Sequence, residues 1–281
     1  MAKPSVSVIV PNYNYAKFLS ARLDSILAQT HPIFELIILD DASTDDSVTV
    51  IERKISKIRQ THPKLTIKFL KNTKNSGNVF SQWQKGIAVA SGDYLWIAEV
   101  DDSCSPDFLQ TALSPVAKHP NIVLSYTNSK LTGDVAPKDR LRRVYDLFRR
   151  RRLPVSYVAS GASEVNRNLA VFNSIPNVSA VVFKNLPALT DILALAKNYR
   201  LSGDWFFYLN LLKFGQVAYS SKPCNFHRLS SASVTGRTSW RTRYAELKEI
   251  HSFARSSYQL SPSTLRRMAR LERSLSSLTK S

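Results

Sequence analysis

Four short apolar runs open the chain, each followed by a stretch with helical apolar spacing, and two of the runs end on clustered acids. The runs are Ser5–Val10, Phe34–Leu39, Leu65–Leu70 and Tyr94–Ala98. The helical stretches carry Phe18, Leu19, Leu23, Ile26 and Leu27, then Val48, Ile51 and Ile55, then Val79–Ala90, then a segment opened by Ser105-Pro106-Asp107. Ser43-Thr44-Asp45-Asp46 supplies cap chemistry for the second helix, because short polar side chains satisfy the unpaired amides of a first turn. Strands alternating with helices of about 10–15 residues predict a mainly parallel sheet covered on both faces, since parallel neighbours need crossover connections. The expected class is α/β, Rossmann-like and doubly wound. In such sheets ligands bind outside the carboxyl ends of the strands, where Asp40-Asp41 and Glu99-Val100-Asp101-Asp102 both fall.

With 281 residues the chain can hold one large α/β domain or two small ones, and 43% hydrophobic residues exclude a disordered chain. Cys104 and Cys224 stand alone, which gives neither a disulfide framework nor a CxxC-type motif and fits a reducing compartment. The apolar stretch Val6 to Val10 is too short for a signal core or a membrane span, so a soluble, cytoplasmic protein is expected. The net charge of +18 is uneven: residues 1–135 hold 14 Lys and Arg against 13 Asp and Glu, and residues 136–281 hold 25 against 8. A basic second half suits a polyanion, an anionic membrane face or a phosphorylated ligand, without choosing among them.

From Thr132 to about Ser163 the pattern loosens into an expected exposed insertion, which contains the Arg149-Arg150-Arg151-Arg152 run and one short amphipathic helix through Leu141, Val144, Leu147 and Phe148. Val178–Phe183 then reads as a strand and Trp205–Leu212 as a helix. Trp240, Tyr244, Leu247 and Ile250 predict a further helix, and Leu265, Met268, Leu271, Leu275 and Leu278 another, entered at Ser261-Pro262. Trp240 and Tyr244 lie among Arg237, Arg241 and Arg243, a pattern open to nucleic-acid stacking, but their helical spacing favours core packing and no nucleic-acid partner is expected.

Glu99, Asp101 and Asp102 set hard oxygen ligands at a strand tip; Glu99 and Asp101 share one side only if strand geometry persists that far. Carboxylates suit Mg²⁺ or Mn²⁺, ions that keep positions open for phosphate oxygens. Four segments then carry a specific likeness: Val8-Ile9-Val10-Pro11-Asn12-Tyr13-Asn14, Ile38-Leu39-Asp40-Asp41-Ala42-Ser43-Thr44-Asp45, Ser91-Gly92-Asp93-Tyr94 and Glu99-Val100-Asp101-Asp102. In order and spacing they resemble glycosyltransferase family 2, over roughly residues 4–235. The resemblance implies a GT-A fold, a nucleotide-sugar donor, a divalent metal and inversion at the anomeric carbon. It puts Pro11 and Tyr13 beside the nucleotide, Asp40 and Asp41 near base and ribose, and Asp101 on the metal with Asp102 beside it. Glu99 stands where the family commonly has Asp, which shifts it toward an outer role.

Asn75-Ser76-Gly77-Asn78 resembles the family's loop before the third helix, where Gly77 lets the backbone approach the donor; a plain turn is the alternative. Gly203-Asp204-Trp205-Phe206-Phe207 resembles the acidic motif that opens an acceptor-side helix, which implies that Asp204 takes the acceptor proton; helix capping is the alternative. Phe226-His227-Arg228 and Ser233-Val234-Thr235 also fit the family, with one departure: members often read Arg-x-His, and here Ser230 stands at the position of that His while His227 precedes Arg228. His227 is thus a candidate metal ligand from another angle, and Arg228 a candidate phosphate contact, since its planar donors suit oxyanions.

The expected organisation is a GT-A domain over residues 1–236, with a nucleotide-sugar half to about 130 and an acceptor half to 236, followed by a helical extension over 237–281. The expected function is metal-assisted, inverting sugar transfer to a saccharide or lipid-linked saccharide, in surface polysaccharide assembly; the Arg149–Arg152 run reads first as a solvated face, with docking of the basic half on an anionic membrane face as the functional alternative. The competing class is a basic binding protein without turnover on the same fold. Asp101 and Asp204 separate the two, because a polyanion binder has no use for either carboxylate.

Overall fold

The computed structural model describes residues 3–133, 155–175, 177–229 and 238–276. Its first half repeats one strand and one helix: β1 (Val6–Asn12), α1 (Ala16–Leu27), β2 (Glu35–Asp40), α2 (Ser47–Thr61), β3 (Thr66–Lys71), α3 (Val79–Ala88) and β4 (Tyr94–Ile97). Next come β5 (Ser103–Cys104), α4 (Phe108–Leu113), β6 (Ile122–Gly133), β7 (Tyr157–Ser160) and α5 (Gly161–Glu164), which runs into a π turn, Val165–Leu169. A 3₁₀ turn at Val178–Ala180 leads into β8 (Val181–Lys184), α6 (Leu189–Ala196), α7 (Gly203–Leu211), β9 (Gln216–Leu229), α8 (Trp240–Ser257) and α9 (Pro262–Ser276).

One sheet gathers these strands in the order β3-β2-β1-β4-β8-β6-β9-β5, with β7 also paired to β9. The β3-β2-β1-β4 block is wholly parallel, as the strand and helix alternation predicts. Its side chains divide by the period of two. Val6, Val8, Val10, Leu36, Ile38 and Trp96 enter the core beneath α1, α2 and α4, while Ile9, Ile37, Leu39, Leu95 and Ile97 enter the core beneath α3. Burial on both faces is what makes these strands read as continuous apolar runs.

Beyond β4 the sheet turns mixed: β8 is antiparallel to both β4 and β6, and β9 runs parallel to β6. β6 and β9 are the two longest strands and neither is apparent in the sequence. Ser125, Thr127, Ser129 and Asn225 are buried in them, and register shifts at Thr127/Asn128 and Asn128/Ser129 break the alternation. The expected insertion is also narrower than its sequence suggests, because Thr132 and Gly133 complete β6 and Tyr157–Ser160 is a paired strand. The Arg149–Arg152 run, the helix expected through Leu141 to Phe148, Ser233 to Thr235 and the 236/237 boundary lie outside the described residues.

Both C-terminal helices form, and Leu247, Ile250, Ala254 and Met268 belong to the same buried cluster as Trp205 to Leu209 of α7. Tyr244 packs against that cluster, while Trp240 is 37% exposed beneath the Arg243 guanidinium. Among the described residues no helix is long and apolar enough to cross a membrane.

Candidate active site

Parallel strands carry their carboxyl ends to one edge, so the turns after β1, β2 and β4 meet there. Pro11 and Asn12 are the buried end of β1, and Tyr13 follows at 44% exposure. Asp40, buried at the end of β2, accepts Asn12 Nδ2 at 2.8 Å, the Ser43 hydroxyl at 2.6 Å and the Ser43 N–H at 3.0 Å. Asp41 organises the next loop: it accepts Asn72 at 2.5 Å, Gln82 at 2.8 Å, the Ser76 N–H at 2.9 Å and the Ser76 hydroxyl at 2.7 Å. Gly77 sits in that loop at φ +66°, and a Cβ there would meet nothing within 4 Å. The left-handed backbone, rather than crowding, is what the chain asks of Gly77.

The acidic turn departs from strand geometry. β4 ends at Ile97, and Val100 and Asp101 lie in a turn, so alternation does not carry Glu99 and Asp101 to one side. Trp83 on α3 donates its indole N–H to Glu99 at 3.1 Å, and the Glu99 N–H reaches the Ser179 hydroxyl at 3.1 Å. Burial, with the neighbouring Asp101 charge, pushes the Glu99 carboxyl up to about 8. Burial and the Asp102 charge push Asp101 up to about 6, and among the described residues no other side chain donates a hydrogen bond to its carboxylate.

Asp102, expected beside Asp101 as a metal ligand, also holds the protein together: its oxygens accept the Arg228 N–H at 2.8 Å and Asn177 Nδ2 at 2.5 Å. It braces β9 against the acidic turn. Arg228 is drawn to the same turn by its side chain, with Nε on the Asp101 carbonyl at 3.1 Å and the guanidinium 4.9 Å from the Phe18 ring. Among the described residues the buried Nδ1 of His227 has no hydrogen-bond partner, and burial pulls the ring's pKa below the ordinary histidine value, which favours the neutral form.

Among the described residues no three His, Cys, Asp or Glu side chains converge as a metal cage. Mg²⁺ and Mn²⁺ do not need one, because one or two protein ligands suffice when phosphates and waters complete the shell. Among the described residues no side chain donates to the Asp101 carboxylate and the His227 Nδ1 is without a partner, and donors of this kind suit such an ion.

Asp204 opens α7 as its second residue; it is not the cap, which is Ser202. Its Oδ1 accepts the Trp205 N–H at 2.7 Å and its Oδ2 accepts Asn173 at 3.2 Å, while burial pushes the carboxyl up to about 6. Gly203 allows α7 this close to α3: a Cβ there would lie 2.4 Å from the Phe80 ring. The turn before α7 rests on Glu246 of α8, which accepts the N–H groups of Arg200 at 2.7 Å, Leu201 at 3.0 Å and Ser202 at 2.8 Å. Buried His251 adds a second anchor, bonded to Glu272 at 2.6 Å and to the Val171 carbonyl at 3.0 Å.

One short segment links the two groups of acids. Asn173 bonds Asp204, Asn177 bonds Asp102 and Ser179 bonds the Glu99 backbone. Residues four apart are at most about 14 Å from each other along an extended chain, so the acidic turn and Asp204 flank the same segment. Trp83, Asn173, Asn177 and Glu246 are the residues that sequence reasoning missed. Only Glu246 leaves a trace, as a carboxylate on the helical stripe shared with Ile250 and Ala254.

A parallel block with acids at the mouths of β2 and β4, extended through an antiparallel β8, is the GT-A fold. Staphylococcus aureus TarS 1-349 in complex with UDP has it: TM-score 0.66 at 18% identity, covering 95% of this chain and 70% of that one. The Pyrobaculum calidifontis mannosyltransferase PcManGT, solved with GDP-Man and Mn²⁺, matches at TM-score 0.62 and 20% identity, over 98% of this chain and 70% of its own. The Glycosyl transferase family 2 model matches residues 7–169, more than half of the chain, and the chain belongs to that family. Bacillus subtilis TuaG, a putative teichuronic acid biosynthesis glycosyltransferase, is 25% identical over 89% of this chain and 90% of its own length. An uncharacterized glycosyltransferase of Nostoc is 36% identical over 37% of this chain, a match that spans 30% of that relative.

Proposed function

We propose that this glycosyltransferase moves a sugar from a nucleoside-diphosphate sugar to a saccharide or lipid-linked saccharide, with inversion, in the assembly of a surface polysaccharide. The observation that carries the reading is Asp204: a half-buried carboxyl with two hydrogen-bond donors, tuned to about 6, across one short segment from the acidic turn. A carboxylate so tuned is ionised at neutral pH and basic enough to take a proton from a sugar hydroxyl as that oxygen attacks. Asp101 and His227 would hold Mn²⁺ or Mg²⁺, and the bound ion would supply neutralisation of the diphosphate leaving group. Arg228 adds a fixed positive charge at the same place. Glu99, tied to Trp83, orients the turn from behind, and the loops shaped by Asp40 and Asp41, with Pro11, Tyr13 and Gly77, receive the nucleotide.

The test is donor binding and hydrolysis with uridine, thymidine and guanosine diphosphate sugars, with Mn²⁺ or Mg²⁺ and again with chelator. One donor should bind in a metal-dependent way, and Asp101→Ala should weaken that binding by on the order of 10–100-fold. A metal response unchanged in Asp101→Ala moves the ion elsewhere; silence with every donor in a folded preparation supports the binding-protein reading.

A further inference from the structure

The transfer site leaves unused a cavity of about 650 Å³ between the π turn and α9. Arg167 from the turn and Arg266, Arg267 and Arg270 from α9 line it, with Ser261 and Ser263 at the start of the helix and no acid among the lining residues. Arg267 is fixed in place: its guanidinium donates to the carbonyls of Arg167 at 2.8 Å and Asn166 at 2.7 Å. Among the described residues no carboxylate forms an ion pair with Arg167, Arg266, Arg270 or Arg273.

Two of the three acids of α8 and α9 are engaged, Glu246 on the amides before α7 and Glu272 between His251 and Arg255, and the third, Glu249, is exposed on α8 rather than on α9. What α9 presents outward is basic. Arg266, Arg270 and Arg273 are exposed and recur at i, i+4 and i+7, so they form one line roughly 10 Å long on the helix. Like charges at i and i+4 weaken a helix slightly, so the line persists against the preference of α9 itself. It also runs past the cavity, which suits a flat array of anions better than one bound ion.

We propose that the α9 face is a docking surface for a bilayer rich in anionic phospholipid, with the arginine cavity receiving a headgroup phosphate. The charge complementarity is the argument for this occupant, and it stands whether or not Asp204 is the base of the transfer reaction.

Co-sedimentation of the 281-residue chain with vesicles of phosphatidylcholine, alone or mixed with phosphatidylglycerol, tests it. Binding is expected only to the mixed vesicles and is expected to fall with salt. Each arginine is expected to contribute roughly a fivefold factor in partition, so R266Q/R270Q/R273Q should lose on the order of 10²-fold. R53Q/K57Q/R59Q on α2 removes the same charge from another exposed face and should lose far less. If the α9 triple variant fails to fold by circular dichroism, R270E alone serves, with a loss of tenfold or more expected.

Equal losses in the α2 and α9 variants would reduce the effect to net charge and overturn the proposal, as would no preference for the anionic vesicles. Release by millimolar inorganic phosphate at constant ionic strength would assign the cavity to a free anion instead. Duplex DNA bound through the same three arginines, without vesicle binding, would assign the face to nucleic acid.

Discussion

Asp41 and Asp204 are both carboxylates placed just where a strand ends or a helix begins, yet the molecule treats them differently. Asp41 accepts four hydrogen bonds from Asn72, Ser76 and Gln82, all within 41 residues of it in sequence. Asp204 accepts two, one from its neighbour Trp205 and one from Asn173, and the turn before it hangs on Glu246 from a different helix. A carboxylate saturated with donors is an architectural anchor, because each bond fixes part of a loop. Asp204, half-buried with few donors, has its carboxyl pushed up to about 6, which makes it a better base than an ordinary carboxylate. Four donors thus fix the Asp41 loop in place, whereas Asp204 is held by two and leans on a separate helix, which is what the proposed roles of donor-side anchor and acceptor-side base ask of them.

Asp204→Asn breaks the comparison most strongly. It keeps the size and the acceptor oxygen and removes the base, so sugar transfer should fall by on the order of 10²–10⁴ while donor affinity stays within a few-fold. Asp41→Asn should do the reverse: it disturbs the loop of Asn72 to Asn78 and shows first as weakened donor binding. Steady-state transfer read beside donor titration separates the two, and equal rates in wild type and Asp204→Asn would remove Asp204 from the chemistry.

Glu246→Ala comes next. It strips the carboxylate from the amides of Arg200, Leu201 and Ser202 in a buried setting, and should cost about 3 kcal/mol of stability, since charge-assisted bonds are lost and buried donors are left unpaired. Urea unfolding measures it. A loss below about 1 kcal/mol would mean that the turn before α7 finds other partners.

The pH dependence sharpens the contrast, because Asp204 is raised from 3.8 to about 6. As a base it must be ionised, so transfer should decline about tenfold per unit below pH 6. Stability moves the other way. A folded pKa above the unfolded one means that the folded chain holds the proton more tightly, so the group favours folding while protonated and loses that contribution as pH rises from about 4 to 6. About two units correspond to at most about 3 kcal/mol at pH 7. Asp204→Asn should therefore be more stable than wild type at pH 7, with the advantage gone by pH 4; Glu99 and Asp101 titrate in both proteins and cancel in the difference. An advantage that persists unchanged at pH 4 would mean that burial of Asp204 does not disfavour its charge.

These differences also explain what the sequence disclosed. β1, β2 and β4 are legible because both their faces are buried, so each reads as a mainly apolar run, and the acids at the ends of β2 and β4 follow directly. The partner of Glu99 was not, because Trp83 lies on α3 at helical spacing and reads as core until its indole N–H is seen to point at a carboxylate. Asn173 and Asn177 belong to no motif, and their contacts span 31 and 75 residues. β6 and β9 hide behind the buried Ser and Thr that would ordinarily mark a solvent face.

The smallest expected effect tests the donor side. Ala42 follows Asp41 at φ 59°, a left-handed conformation that costs an alanine roughly 1–2 kcal/mol, and it is held there because Ser43 must return its N–H and hydroxyl to Asp40. Glycine adopts that backbone without the Cβ clash but loses more entropy on folding, by roughly 0.5–1 kcal/mol. The two terms nearly offset, and the net should favour Ala42→Gly by about 0.5 kcal/mol in denaturant unfolding, with donor affinity unchanged. A stability gain accompanied by weaker donor binding would show that the strain at Ala42 sets the shape of the nucleotide loop, and the donor side would then no longer be merely an anchor.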